Sequence, residues 1–237
     1  MKPILPRIST FTGLGFGRVY LLHDDEGYTV VDTSIGGADR RIMRQLAAAG
    51  VQPHEIRRIL ITHAHPDHIG GLAGLKAATG AQVYAHRLEC PVIEAGAPML
   101  RPDPATLRFP WTLMAAALPS QAPADAVKTP VYARLEGGET LNVAGGLHVL
   151  HTPGHAPGHL AFWLPEMRTL ITGDVFFHTP GVQPPFAAFT PDRAENARSA
   201  HRLAELPAER VLFGHGLPIL RGGQAALRAS LHRFAVR

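Results

Sequence analysis

The stretch THAHPDHIGG, Thr62 to Gly71, follows the apolar run Ile59-Leu60-Ile61 and places His63, His65, Asp67 and His68 within six residues. Imidazoles and carboxylates at this density are costly to bury unless something satisfies them. A buried strand is expected over 57–62, RRILIT, by its continuous β-branched and aliphatic run. Side chains at i and i+2 of an extended segment point to the same side, so His63 and His65 can share a cation. Asp67 and His68 stand where the chain turns into a helix expected over 68–79, with Ile69, Leu72 and Leu75 as its apolar stripe. They can face a second cation beside the first. Imidazole nitrogen and carboxylate oxygen suit zinc, and also iron or manganese.

Three further segments repeat the arrangement. LHVLHTPGH puts His155 just beyond a strand, TLITGD does the same for Asp174, and VLFGHG for His215. Each candidate ligand adjoins a glycine or turn residue that lets the backbone bend sharply. In open α/β sheets, sites gather outside the carboxyl ends of strands. Two neighbouring cations need a bridging ligand, and Asp174 is the natural carboxylate for it. His155 would complete the first site and His215 the second. His23, His54, His148, His201 and His232 are assigned to hydrogen-bonded or surface positions. His86, His151, His159 and His178, close to the motifs, stay open.

Strands are expected at 18–22, 28–32, 81–86, 139–143, 147–151, 160–164, 169–172 and 211–213. Helices are expected at 38–49, ended by Gly50, and at 192–206 and 223–233. Strand and helix alternate, which is the mark of an α/β chain. GLGFG at 13–17 precedes a strand where a dinucleotide fingerprint needs a helix, so it is read as a flexible loop. One domain is expected over 1–237. Between about 96 and 130 the chain changes character. Seven prolines lie there, with Phe109, Trp111, Leu113 and Met114 among them. A long apolar segment of this kind reads as a lid over the site; a packed surface excursion or an oligomer contact are the alternatives.

The chain has 237 residues, 46% hydrophobic and 18% charged, a globular composition. Its formal charge is +4, but the basic residues are scattered, so no nucleic-acid surface is expected. The single cysteine, Cys90, forbids an intrachain disulfide and reads as a small packed group. MKPILPRIST is broken by Pro3, Pro6 and Arg7 and does not form a signal-peptide core. No apolar run approaches the ~18 residues of a membrane span. A soluble, cytoplasmic protein is the expectation.

THAHPDH, TPGH, ITGD and FGHG, in that order, resemble the metallo-β-lactamase fold superfamily. The resemblance runs over nearly the whole chain, from the YLL…VVDTS hairpin to the GHG segment. It implies an α/β fold of metallo-β-lactamase type, an αββα four-layer sandwich with two facing sheets and helices outside. It implies two divalent metal ions, zinc first, with iron or manganese as alternatives. The first would take His63, His65 and His155, and the second Asp67, His68 and His215, with Asp174 bridging. Asp32, in VVDTS, would support the metal loop from behind. The implied chemistry is attack by a metal-bound hydroxide on an electrophilic carbonyl. Asp67 would also pass a proton to the leaving group.

Within the superfamily, an aspartate at the bridging position argues against true β-lactamases. Histidine at 65 argues against the flavodiiron branch. The extra motifs of the tRNA-processing nucleases are not found. Glyoxalase II is similar through the core, but its typical C-terminal helical domain is not expected, since 22 residues follow His215. Acyl-homoserine lactonases usually carry a tyrosine three residues after the bridging aspartate. That position is Phe177, which cannot donate a hydrogen bond; His178 beside it is the candidate replacement. The lid and the loop FFHTPGVQPPFAAFT, 176–190, suggest an apolar pocket mouth. The expected reaction is therefore hydrolysis of an ester, lactone or thioester with an apolar acyl part, a small-molecule substrate. Phe177, His178, Phe109, Trp111 and Met114 are the expected substrate contacts. A mononuclear iron persulfide dioxygenase is the runner-up. A phosphodiester- or β-lactam-cleaving relative and a non-catalytic metal sensor stand behind it. No nucleic-acid or membrane partner is expected, and a homodimer stays open.

Overall fold

The computed structural model describes residues 1–117 and 128–234. The first sheet holds seven strands in chain order: β1 (Lys2–Leu5), β2 (Ile8–Thr10), β3 (Tyr20–Asp24), β4 (Gly27–Val31), β5 (Ile56–Leu60), β6 (Gln82–His86) and β7 (Ala133–Leu135). It is antiparallel from β1 to β4 and parallel from β4 to β7. The second sheet holds β8 (Thr140–Leu141), β9 (Leu147–His151), β10 (Leu160–Leu164) and β11 (Thr169–Ile171) in antiparallel sequence. β14 (Arg210–Leu212) lies parallel to β11 at its edge. Three short strands, β12 (Phe177–His178), β13 (Val182–Gln183) and β15 (His215–Gly216), form a small sheet.

The period-two alternation of side chains decides how these layers stack. Tyr20, Leu22, Val31 and Leu60 of the first sheet meet Leu147, Val149, Leu160, Phe162 and Leu212 of the second in one buried cluster. Their neighbours Leu21, Val30, Ile59 and Val83 point outward onto α1 (Ala38–Ala48) and α3 (Leu72–Thr79), through Ile42, Leu46, Leu72 and Leu75. On the other side, Ala161, Trp163, Leu170 and Val211 point outward onto α6 (Arg193–Ala204) and α7 (Gly223–Ser230), through Ala200, Leu203 and Leu227. The result is the expected αββα order. β10 is buried along its whole length because both of its faces are covered.

Several boundaries differ from the expectations. The helix expected over 68–79 is two, α2 (Pro66–Ile69) and α3, broken at Gly70-Gly71. A Cβ on Gly71 would come 2.7 Å from Thr33 O, and one on Gly70 would collide with the Ile35–Gly36 backbone. The 33–36 loop therefore packs on the metal loop only through bare glycine backbone. The strand expected over 139–143 shrinks to β8, because Ala144 at φ 49° and the following glycines turn the chain. β1, with Pro3, forms the sheet edge, where a missing N–H costs nothing. Helix α4 (Cys90–Ala95) precedes the proline-rich segment, and α5 (Trp111–Ala117) forms inside it. The part of the expected lid at 118–127, with Pro119 and Pro123, lies outside the described residues. Among the described residues no helix is long and apolar enough to cross a membrane.

Phe162 is fully buried between the sheets. Phe162→Ala is expected to lower unfolding stability by about 3–5 kcal/mol, measured as a fall in the urea midpoint at unchanged slope.

Candidate metal centre

β4 and β5 run parallel and deliver Asp32 and Thr62 side by side. Asp32 sits in the left-handed region at φ 60° and is 2% exposed, a conformation that aspartate tolerates better than most residues. Its Oδ1 accepts the Thr62 N–H at 2.8 Å, and its Oδ2 accepts the Thr62 hydroxyl at 2.8 Å. The same Oδ2 lies 2.8 Å from His68 Nδ1. An ionised carboxylate only accepts, so these contacts fix the direction of the chain. The Thr62 hydroxyl proton goes to Asp32, and the Thr62 oxygen, 3.0 Å from His63 Nδ1, must accept from it. Both His63 and His68 therefore carry their proton on Nδ1 and present the Nε2 lone pair inward. His155 follows the same logic: Thr190 Oγ1 donates to Phe186 O at 3.0 Å and lies 3.3 Å from His155 Nδ1.

The inward atoms converge in two groups. The ligand atoms of His63, His65 and His155 lie within 4.8 Å of one another, and so do those of Asp67, His68 and His215. His63, His68 and Asp174 form a third set that joins the two. Asp174 Oδ2 stands 3.2 Å from His215 Nε2, 3.4 Å from the Nε2 atoms of His68 and His155, and 3.9 Å from that of His63. Asp67 Oδ2 is 3.1 Å from His215 Nε2. All seven expected ligands are thus brought together, with Asp174 at their centre.

This donor set fits divalent cations. His63 Nε2 and Asp174 Oδ1 are buried and, among the described residues, have no hydrogen-bond partner. His155 Nε2 faces His65 Nδ1 at 3.0 Å, and His68 Nε2 faces His215 Nε2 at 3.4 Å. Lone pairs aimed at lone pairs need a proton or a metal ion between them. Without an ion, protonation splits the set unevenly. Burial, aided by the neighbouring imidazoles, holds His63 and His155 well below the ordinary histidine range. Burial also lowers His65, to about 4. At His68 and His215 burial acts in the same sense but is outweighed by the carboxylates, chiefly Asp174. His68 is raised well above its usual value and His215 to about 9. The Asp174 carboxyl is held far below its usual range, since His215 and His68 outweigh its burial.

Two groups beyond the ligands clamp the loops that carry them. Glu89, 4% exposed, accepts the Ala64 N–H at 2.9 Å and the Gly158 N–H at 2.8 Å. One carboxylate thereby ties the His63–His65 loop to the His155 loop. Burial pushes its carboxyl upward, and the two backbone donors offset part of that. His159 accepts the Asp174 N–H on Nε2 at 2.9 Å and meets Thr152 Oγ1 with Nδ1 at 2.8 Å. Burial lowers it to about 3, which keeps that acceptor free. Glu89, in RLECPV, carries no local signal of this role. His159 had one, its spacing of four residues from His155.

The ligands open into a cavity of about 620 Å³. Its walls include Phe11, Leu14, Phe16, Phe177, Phe186 and Phe189, with Arg18 and Gly216 on one side. The loop read as flexible, 13–17, is part of this wall. A second, apolar cavity of about 380 Å³ adjoins it and shares Phe16, His65, Asp67 and Phe189. Phe177 faces the first cavity, and β12 pairs it with His215 of β15. Alternation along β12 turns His178 the other way. Its Nδ1 donates to Leu217 O at 2.6 Å and its ring lies 5.2 Å from that of Phe213. The structure therefore does not bring His178 to the place expected for the missing tyrosine. Trp111 stacks on Phe186 at 5.2 Å, behind the wall. Phe109 is 79% exposed and Met114 38%, and neither lines these cavities.

The family model of the metallo-beta-lactamase superfamily matches residues 12–215. The probable metallo-hydrolase YflN of Bacillus subtilis is 25% identical, over 92% of this chain and 92% of its own length. A hydroxyacylglutathione hydrolase of Albidiferax ferrireducens is 29% identical over 83% of this chain, which spans 61% of that relative. The solved structure of TTHA1623 in a di-iron-bound form is 31% identical, with a TM-score of 0.65 over 88% of this chain and 91% of its own.

Asp32→Ala removes the acceptor that orients a ligand of each triad. It is expected to weaken metal binding by about 10–100-fold, measured by competition with a chromophoric chelator.

Proposed function

The chain belongs to the metallo-beta-lactamase superfamily, and on that footing we propose that it is a two-metal hydrolase of esters, lactones or thioesters with an apolar acyl part. The observation that carries this reading is the pair of ligand triads joined through Asp174 at the floor of a phenylalanine-walled cavity. Bound there, divalent metals supply Lewis acidity and lower the pKa of water to about 7. The chain's own groups do the rest. The phenylalanine wall takes the apolar part of the substrate out of water, at about 25 cal/mol per Å² buried. Asp67 reaches into both cavities. Its carboxyl is depressed, the pull of His68 and the His215 hydrogen bond outweighing its burial. It is placed to take the proton that water gives up and to hand it to the leaving oxygen or sulfur. Water adds to the acyl carbon, and the products are a carboxylic acid and an alcohol or thiol.

Completeness of both triads favours this reading over a mononuclear iron dioxygenase, which needs the first triad alone. The apolar wall favours it over a phosphodiesterase. Elemental mass spectrometry of protein purified without added metal is expected to give about two divalent ions per chain. Asp174→Ala is expected to lose metal and esterase activity together. One iron per chain, with oxygen uptake on a persulfide, would instead establish the dioxygenase.

The proline-rich segment, as far as it is described, braces the wall from outside. Leu107 and Ala115 pack with Ala188, and Trp111, Ala187 and Phe189 close around them. We propose that this packing holds Phe186 and Phe189 against the substrate. Trp111→Ala is expected to raise KM for long-chain acyl esters by about 2–10-fold, as the ~0.5–1.5 kcal/mol of an aromatic pair implies. Metal content should not change.

A further inference from the structure

Arg18 is a charged residue of the cavity wall that neither the ligand set nor the hydrolytic reading uses. It precedes β3, and its backbone N–H donates to Gly214 O at 2.8 Å. Its Nε donates to Gly216 O. These two bonds straddle the ligand His215, so the side chain is pinned beside the metal centre. Among the described residues, and apart from the candidate ligand imidazoles, it is the one basic side chain lining this cavity. Among the described residues, no carboxylate forms an ion pair with it. With Nε spent on the backbone, the two Nη groups remain as a planar, always-charged fork at a phenylalanine-lined wall. Such a fork matches a carboxylate in bidentate geometry.

The neighbouring cavity supplies the opposite character. It shares His65 and Asp67 with the first cavity but not Arg18, and Phe16, Ile35, Met99 and Leu100 line it. Arg101 also borders it but is already engaged. The two compartments thus meet at the ligands, one apolar and one with a fixed cation.

We propose that Arg18 anchors a carboxylate on the leaving group of the substrate, so that the enzyme takes amphipathic anionic acyl esters or thioesters with the acyl chain in the apolar compartment. This rests on the hydrolase reading above and narrows it. A single guanidinium in an apolar wall balances one negative charge; a phosphate dianion would stay half-neutralised there. A carboxylate is therefore favoured over a phosphate.

The test uses two nearly isosteric esters of octanoic acid, one with 4-hydroxybenzoate and one with 4-hydroxybenzamide as leaving group. The metal-loaded wild type is expected to prefer the benzoate ester in kcat/KM, mainly through KM. Arg18→Met is expected to reduce that preference ratio by about 10–100-fold, the range for hydrogen bonds to a charged group. Arg18→Lys should keep part of it. A displacement of His215 caused by the substitution would lower both esters alike and leave the ratio unmoved. A wild-type ratio near one, or a ratio unaffected by Arg18→Met, overturns the assignment. Should neither ester turn over, calorimetry with N-octanoyl-4-aminobenzoate separates the two readings. Weaker binding to Arg18→Met than to wild type keeps the anion site and removes the hydrolase; equal binding removes the anion site.

Discussion

The carboxylate of Asp32 is the group on which the geometry of the histidine–aspartate cluster depends. It accepts from Thr62 twice and from His68 once, and through the Thr62 hydroxyl it also sets the tautomer of His63. One ligand of each triad is thereby aimed from a single buried residue. The parallel register of β4 and β5 places Asp32 beside Thr62, so the sheet itself fixes this geometry. Orientation of ligands by such partners commonly matters nearly as much as the ligands. Left-handed backbone at Asp32 and the bare glycines at 70–71 are local costs accepted in a region where tertiary contacts determine every angle.

A second set of bonds converts separate strand ends into one site. Glu89 joins the loop of His63 and His65 to that of His155 through two backbone N–H groups. His159 holds the backbone of Asp174. Helix α6 and its N-cap add support, as Ser199 Oγ donates to Pro153 O at 2.8 Å and Gly154 O accepts the Asp192 N–H at 3.1 Å. Burying a carboxylate and a histidine in this way is unfavourable unless their hydrogen bonds are made, and here they are. The ligands can then stay close to one another, despite mutual repulsion between their lone pairs, until cations satisfy them.

Around this polar centre the cavity is mostly aromatic. Phe177, Phe186 and Phe189 arrive from the segment after Asp174, and Phe11, Leu14 and Phe16 from the loop before β3. Phe177 packs edge-on toward Phe186 at 5.5 Å and against His215 at 4.6 Å. Low-dielectric walls strengthen every charge interaction inside them. That is why a charge in such surroundings matters more than the scattered charges of the exterior.

Much was legible from local pattern alone. Apolar runs and helical stripes foretold the elements and their α/β alternation, because burial against water acts on each element separately; the order of the layers was implied only by the family resemblance. The seven candidate ligands could be picked out because each sits at a strand end, next to a turn residue, with a side chain poorly suited to a core, and the structure gathers them. What the sequence did not carry was anything that depends on distant segments meeting. Glu89 looks like any helix-start acid until Ala64 and Gly158 close on it. Arg18 looks like a loop cation until the Gly214–Gly216 carbonyls pin it at the cavity wall. His178 and Phe177 were indistinguishable as site candidates, and only the pairing of β12 with β15 turned one inward and the other away. The sequence by itself determined the chemistry of the donors and the alternation of strand and helix, since both follow from residue type and period. The tertiary structure alone decided tautomers, wall and charge placement, since those depend on hydrogen bonds and contacts between residues tens to hundreds of positions apart.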